Sequence, residues 1–186
     1  GTGARFADIL EDEVLMSAVF EEFLRNFYRH EQSRFTVTRE ILSWDAVPRT
    51  EQDANFLPTM ETDITLRSSE HVIVFDAKFY REALVQRQGL SRIRSGHLYQ
   101  LFAYLKHTAL RYPGRVISGG LVYAATPSAF QLEYDLGGFR VLVRAIDLSR
   151  PWQQIHAELL QILESASIDR SSAAAALTWQ PEFDIC

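Results

Sequence analysis

The most constraining feature of this 186-residue sequence is a pair of strand-like runs separated by a short polar break. The runs are Thr62–Arg67 and His71–Phe75, and they predict the two strands of a β-hairpin. Such a hairpin fixes which side chains share a face of the sheet. Opposite residues point the same way, and so do residues two apart on one strand.

Three charged residues of this hairpin fall on the same face. With the loop centred between Ser69 and Glu70, Asp63 lies opposite Asp76, and Lys78 follows Asp76 on the same strand. Two neighbouring carboxylates repel each other on a bare sheet, whereas a divalent cation between them removes the conflict. A lysine beside them suits a phosphate group or an activated water. The pattern therefore predicts a metal-dependent phosphodiester site.

The rest of the sequence predicts an α/β fold. Helices are predicted over Ala7–His30, over Gly96–Tyr112, and from an N-cap at Ser149 with an early Pro151 through about Leu163. Strands are predicted over Arg34–Trp44, Arg115–Thr126, and the pair Phe130–Asp135 and Phe139–Ile146 around Gly137-Gly138, with loops over Asp45–Pro58 and Tyr80–Ser95. The strand–helix–strand order that ends in Arg115–Thr126 predicts parallel pairing with a right-handed crossover. We therefore expect a mixed central β-sheet flanked by helices.

Length and composition limit the possible classes of protein. The chain is long enough for one core, which we assign to residues 1–165, with residues 166–186 as a tail or short helix. Its apolar runs are shorter than a membrane span, so we expect no membrane insertion. The single cysteine, Cys186, excludes an intrachain disulfide and fits a reducing cytoplasm, the expected location. No glycine-rich nucleotide loop is present, so we expect no nucleotide hydrolysis by this chain.

The net charge of −5 argues against tight, unaided, non-specific binding to DNA, which normally requires a basic patch. It leaves open a nucleic-acid enzyme whose metal neutralises local acids, or whose partner holds the DNA.

Several further residues have both a chemical and an ordinary interpretation. Glu21 lies near the apolar face of the first predicted helix and is either a site acid or a solvated boundary residue. Gln100 and Tyr104 are neighbours on the second predicted helix and could belong to the site or to the core edge. The arginine-rich stretch Tyr80–Ser95 either contacts phosphates or is a solvated connection. The five histidines are scattered without a metal-binding pair, although His97 lies just before Gln100.

In their order along the chain, these residues resemble the PD-(D/E)xK nuclease superfamily. An acid on the first helix, an Asp on one strand, and Asp-x-Lys on the next follow the order of that superfamily, and Gln100–Tyr104 resembles the QxxxY motif of its RecB-like branch. The amino-acid sequence of these segments is most similar to the nuclease half of the McrC family, the cleavage subunit of the McrBC modification-dependent restriction system. The similar segments are FEEF at Phe20–Phe23, TDITL at Thr62–Leu66, DAKFY at Asp76–Tyr80 and GHLYQLFAYLK at Gly96–Lys106. The sequence has Thr62 where the superfamily label has proline, a common departure.

The resemblance implies a role for each matching residue. Asp63, Asp76 and the main-chain carbonyl of Ala77 would bind Mg²⁺, with Mn²⁺ as a substitute, and Glu21 would contribute to the metal site. Lys78 would orient or help deprotonate the attacking water and stabilise the pentavalent phosphate. Gln100 and Tyr104 would support the site or position the DNA strand that is cut.

The resemblance also implies partners, namely DNA and a McrB-like hexameric AAA+ GTPase. Two other functions share features with this interpretation. A RecB-like nuclease that processes DNA ends would use the same site residues. A subunit that keeps the fold and regulates an AAA+ motor without cleaving DNA would not need the acid–acid–lysine set.

Overall fold

The computed structural model of the protein describes residues 13–79, 84–87, 90–125 and 130–168. Within these ranges the chain forms four helices and ten strands. The helices are α1 (Glu13–Glu31), α2 (Glu51–Asn55), α3 (Ser95–Arg111) and α4 (Trp152–Ser167). The strands are β1 (Thr36–Thr38), β2 (Ile41–Leu42), β3 (Met60–Glu61), β4 (Ile64–Arg67), β5 (His71–Phe79), β6 (Leu84–Arg87), β7 (Leu90–Ile93), β8 (Val116–Ala125), β9 (Gln131–Leu136) and β10 (Phe139–Asp147).

Six of these strands form a mixed central sheet in the order β1-β4-β5-β8-β10-β9. Strand β8 runs parallel to both β5 and β10, while the β1–β4, β4–β5 and β9–β10 pairs are antiparallel. The predicted strand–helix–strand unit is thus confirmed as β5–α3–β8 with parallel strands. The predicted mixed sheet flanked by helices is also confirmed, and it is compatible with a restriction-endonuclease-like core.

Helices cover both faces of this sheet, so its central strands are buried on both sides. On one face, α1 and α4 pack against the sheet through residues such as Leu24 and Leu159. On the other face, α3 packs through Leu101 and Leu105. Alternate residues of β5 divide between the two cores: Ile73 and Phe75 lie with the first, and Val72 and Val74 with the second. By the same alternation, Asp76 and Lys78 point to the face that α3 covers.

A glycine lets α3 lie close to the sheet. A methyl group on Gly119 of β8 would overlap the main-chain oxygen of Val74 and come within 2.8 Å of Leu105 Cδ2. Neither β5 nor α3 can move far, because both are packed in the core. The absence of a side chain at this position therefore sets the distance between α3 and the strand that carries Asp76 and Lys78.

The hairpin predictions are largely confirmed. The ladder pairs Ile64 with Phe75 and Arg67 with Val72, in the predicted register, and β5 continues beyond the predicted end to Phe79. Strand β4 begins at Ile64 and not at the predicted Thr62, so Asp63 lies just outside the ladder. The second hairpin joins β9 and β10 through Gly137 and Gly138, whose φ angles of 58° and 89° favour glycine.

Other predicted elements differ from the structure. The predicted strand Arg34–Trp44 is divided into β1 and β2, which belong to different sheets, because β2 pairs with β3 instead. The predicted loop Asp45–Pro58 contains the short helix α2, which a Thr50–Asp53 capping box begins. The predicted loop Tyr80–Ser95 contains the antiparallel pair β6–β7. The alternation of apolar and polar residues that marks a strand is short there and lies among arginines.

The helix boundaries also shift. Helix α1 ends at Glu31, and residues 7–12 of the predicted Ala7–His30 helix lie outside the described residues. Ser149 is not the N-cap of α4, because its amide and hydroxyl both donate to Asp147 Oδ1, and Pro151 occupies the cap position without a side-chain bond. Helix α4 continues to Ser167, past the predicted domain limit at 165, while residues 169–186 lie outside the described ranges. The division of the chain into domain and tail stays a prediction.

The close approach at Gly119 yields a test of the packing. Gly119→Ala should lower the free energy of unfolding by about 1–3 kcal/mol, because the added methyl overpacks a core that has no room for it. Chemical denaturation measures this loss. Gly96→Ala is the matched control, since no atom lies within 4 Å of that methyl position and no loss is expected. Equal stability of the two variants would contradict the close approach.

Candidate active site

The two acids of the hairpin meet at the point where β4 begins. Asp63 immediately precedes Ile64, the first residue of β4, and Asp63 Oδ2 accepts a hydrogen bond from the Ala77 amide at 2.9 Å. The polar groups of a strand residue point to one side, so the Ala77 carbonyl also faces away from β8 and toward Asp63. The hairpin thereby gathers the Asp63 carboxylate, the Asp76 carboxyl group and one main-chain carbonyl at a single end of the sheet.

A chain of side-chain hydrogen bonds connects this end of the sheet to α3. Lys78 Nζ donates to Asp76 Oδ1 at 2.9 Å and to Gln100 Oε1 at 3.1 Å. Gln100 Nε2 in turn donates to the Tyr104 hydroxyl at 2.9 Å. The predicted glutamine–tyrosine pair therefore orients the lysine, and the structure brings Asp63, Asp76, Lys78, Gln100 and Tyr104 together.

Asp76 is fully buried, and one of its oxygens lacks a partner. Burial is the main cause that raises the pKa of Asp76 from 3.8 to about 8, and the nearby Asp63 raises it further, while Lys78 acts in the opposite direction. Among the residues that the structure describes, Asp76 Oδ2 has no hydrogen-bond donor. A buried carboxylate oxygen without a donor is unfavourable in the protein alone, and a bound cation would satisfy it.

Glu21 lies at the margin of the site. This half-buried side chain of α1 interacts electrostatically with Asp63 and Lys78, and burial followed by Asp63 raises its pKa. Within the described ranges, no three Asp, Glu, His or Cys side chains are grouped closely enough to form a metal site on their own. Glu21 therefore interacts with Asp63 without forming a three-acid cluster with the two aspartates.

The residues present nevertheless fit Mg²⁺. This ion is usually held by one or two carboxylates, with water and substrate phosphate completing its shell, and it seldom has a cage made entirely of protein. Asp63, Asp76 Oδ2 and the Ala77 carbonyl supply oxygen ligands of that kind. The donor set, together with the unpartnered oxygen, suits a hard divalent cation better than a soft one.

Two ring side chains, Tyr104 and His97, lie in the surroundings of Lys78. Burial is the main cause that raises the pKa of Tyr104 to about 12, so its hydroxyl remains protonated at neutral pH. His97 Nδ1 lies 2.8 Å from the Tyr123 hydroxyl, and burial followed by the positive charge of Lys78 lowers the pKa of His97 to about 4. A neutral His97 adds no positive charge beside Lys78.

Sequence reasoning missed Arg25, which also contacts the site. Its guanidinium group is buried and donates from Nη1 to the main-chain oxygen of Asp63 at 2.9 Å. The available signal was an arginine one turn after Glu21 on the predicted helix, which in the sequence resembled any solvated residue.

The buried carboxyl group makes stability depend on pH. In EDTA, the wild type should lose stability relative to Asp76→Asn as the pH rises from about 4 to about 8. In this interval the folded protein keeps the Asp76 proton that the unfolded chain releases, so rising pH favours unfolding. Melting temperatures of both proteins at pH 5 and pH 8 measure the effect.

The exposed Asp135 of β9 provides the control for this comparison, because Asp135→Asn alters a carboxylate outside the site. A melting-temperature difference between wild type and Asp76→Asn that stays constant from pH 5 to pH 8 would show that Asp76 is not held in its protonated form.

The sheet order and the helical layers are compatible with a restriction-endonuclease-like core. Residues 14–123 match the family described as "McrBC 5-methylcytosine restriction system component". The chain belongs to this family and is a component of the restriction-system type, as the McrC-like segments predict.

A characterised relative agrees with this assignment. The chain is 38% identical over 160 residues to the "Type IV methyl-directed restriction enzyme EcoKMcrBC" of Escherichia coli (strain K12). The match covers 86% of this chain and 46% of the relative, so the chain spans about half the length of that protein. No helix in the described part of the chain is long and apolar enough to cross a membrane.

Proposed function

We propose that this chain is a Mg²⁺-dependent DNA endonuclease domain of the PD-(D/E)xK type, which acts in a McrC-like restriction subunit. The observation that carries the proposal is the meeting of Asp63, Asp76 and Lys78 at one end of the sheet, with a buried Asp76 oxygen that has no donor among the described residues. Membership of a restriction-system family supports DNA as the substrate.

Each site residue has a task in phosphodiester hydrolysis. Asp63, Asp76 and the Ala77 carbonyl would hold the metal, and Glu21 would contribute from the margin. When bound, the metal supplies Lewis-acid activation of a water and of the phosphate. Lys78 uses two of its three N–H groups on Asp76 and Gln100, and the third, which has no partner among the described residues, would donate to a phosphate oxygen or the attacking water. Gln100 and Tyr104 keep the ammonium group aimed at the position where charge develops.

We also propose a separate motor as partner. The family is described as a component of a system, and the relative is a restriction enzyme whose name joins two components. A McrB-like hexameric AAA+ GTPase would deliver DNA to the site. Such a partner is also consistent with a chain whose net charge of −5 provides little general attraction to DNA.

Plasmid cleavage tests the nuclease. Closed circular DNA should be nicked or linearised in Mg²⁺ and left intact in EDTA, with the motor and GTP added in parallel reactions. Lys78→Ala should lower the cleavage rate at least about 100-fold, because it removes a charge that stabilises the transition state. Asp76→Ala should also abolish cleavage by removing a metal ligand.

Glu164→Gln is the control for these variants. Glu164 lies on α4, is exposed and pairs with Arg34, so the rate should not change. Cleavage that persists in both Asp76→Ala and Lys78→Ala would rule out this site. Cleavage of linear DNA alone, with closed circles untouched, would favour a nuclease that processes DNA ends.

A further inference from the structure

The main chain around Asp63 leaves one small sheet and enters the central sheet. Strand β3 pairs with β2 and ends at Glu61. Two residues separate it from β4, which begins at Ile64 in the central sheet. Asp63 lies in this gap, outside the regular ladder. Its carboxylate direction is therefore not fixed by strand pairing and depends on the contacts that hold the gap.

Thr62 anchors the first half of the gap. Its amide donates to the Glu40 carbonyl at 2.9 Å, and its hydroxyl accepts from the Glu40 amide at 3.0 Å. The Thr62 hydroxyl also lies 2.8 Å from the Thr65 hydroxyl. These bonds fix Thr62 relative to the chain beyond β1, but they do not involve the Asp63 carbonyl.

Arg25 anchors the second half. It is only 7% exposed, and its Nη1 donates to the Asp63 carbonyl at 2.9 Å. Its Nη2 pairs with Glu22, whose side chain is 55% exposed and also accepts from Asn26. Burying a guanidinium group is unfavourable unless it is paired and hydrogen-bonded, and here both conditions are met.

This pairing separates the roles of two adjacent glutamates. Glu22 forms an ion pair with Arg25 and is exposed, whereas Glu21 is half-buried, and among charged groups Asp63 affects its pKa most. A single turn of α1 thus contributes Glu21, an acid at the margin of the site, and Arg25, which binds the main chain of Asp63.

We infer that Arg25 is a positioning residue that holds the Asp63 main chain and thereby aims the Asp63 carboxylate at the Ala77 amide and toward Asp76. Arg25 contacts no reacting group in this arrangement and acts through Asp63. Its consequence for metal binding rests on the proposed nuclease function, but its effect on Asp63 does not.

Hydrogen exchange of the Ala77 amide tests the positioning directly. Arg25→Met keeps the length of the side chain and removes its donors. In metal-free protein, this variant should exchange the Ala77 amide at least tenfold faster relative to the Phe75 amide, which lies in the β4–β5 ladder. Asp63→Ala, which removes the acceptor itself, gives the upper limit of the effect. Arg25→Lys, which keeps one donor group, should fall between wild type and Arg25→Met.

A purely structural role for Arg25 predicts a different result. Both amides would then exchange faster by the same factor as the melting temperature falls, and their ratio would match the wild type. An unchanged Ala77/Phe75 ratio in Arg25→Met overturns the inference. Arg29→Met is the control, since Arg29 is exposed on the same helix and bonds to Asn26.

Equilibrium binding of Mn²⁺ tests whether the hydrogen bond between Arg25 and Asp63 affects the affinity of the site for a metal ion. Arg25→Met should bind the ion about 10–100-fold more weakly, the usual cost of losing a residue that orients a metal ligand, while Arg29→Met should match wild type. If Arg25→Met binds Mn²⁺ as tightly as the wild type does, the inference about Arg25 is wrong, whereas the proposed nuclease function is unaffected. Failure of the wild type to bind Mn²⁺ and to cut DNA would overturn the proposed function, and the exchange ratio would still decide whether Arg25 positions Asp63.

Discussion

The buried carboxyl group of Asp76 sets conditions that the surrounding structure has to meet. A carboxylate without water is unfavourable unless cations or hydrogen-bond donors lie beside it. Lys78 supplies one such contact at 2.9 Å, and the second oxygen has no donor among the described residues. Burial is the main cause that raises the pKa of Asp76 to about 8, and Lys78 only partly opposes it. Folding is thereby coupled to the protonation of this one side chain.

The elements around this group are arranged to hold its neighbours rather than to touch it. Helix α3 holds Lys78 through Gln100, and the second half of α1 holds Asp63 through Arg25. The helices lie on opposite faces of the sheet, so the two sides of the site are fixed independently. Rigid helices anchored in two separate cores are well suited to keeping charged groups within the narrow distances that metal coordination and phosphoryl chemistry require.

Much of this arrangement could be predicted from the sequence, because one hairpin determines it. Period-two alternation fixes a strand register when one face is buried, since a slip of one residue would turn every side chain to the wrong face. The register therefore predicts Asp76 and Lys78 on one face beside Asp63, and the spacing of Gln100 and Tyr104 predicts one helix face. Asp63 itself lies outside the ladder, so the direction of its carboxylate does not follow from the register. The Arg25 contact could not be predicted, because it depends on how α1 crosses the sheet. The Ser149 cap was wrong because Asp147, an ionised acceptor two residues earlier, binds the serine first.

The packing at Gly119 has a consequence for the evolution of this chain. Gly119 carries no chemical group, yet it sets the height of α3 above the strand that bears the catalytic candidates. A larger residue there would overlap Val74 of β5 and Leu105 of α3, the strand and the helix that carry Lys78 and Gln100. In a survey of random variants selected for activity, this glycine should therefore tolerate as little change as a residue that touches the substrate. Intolerance to substitution at this position would reflect the geometry of a neighbouring helix.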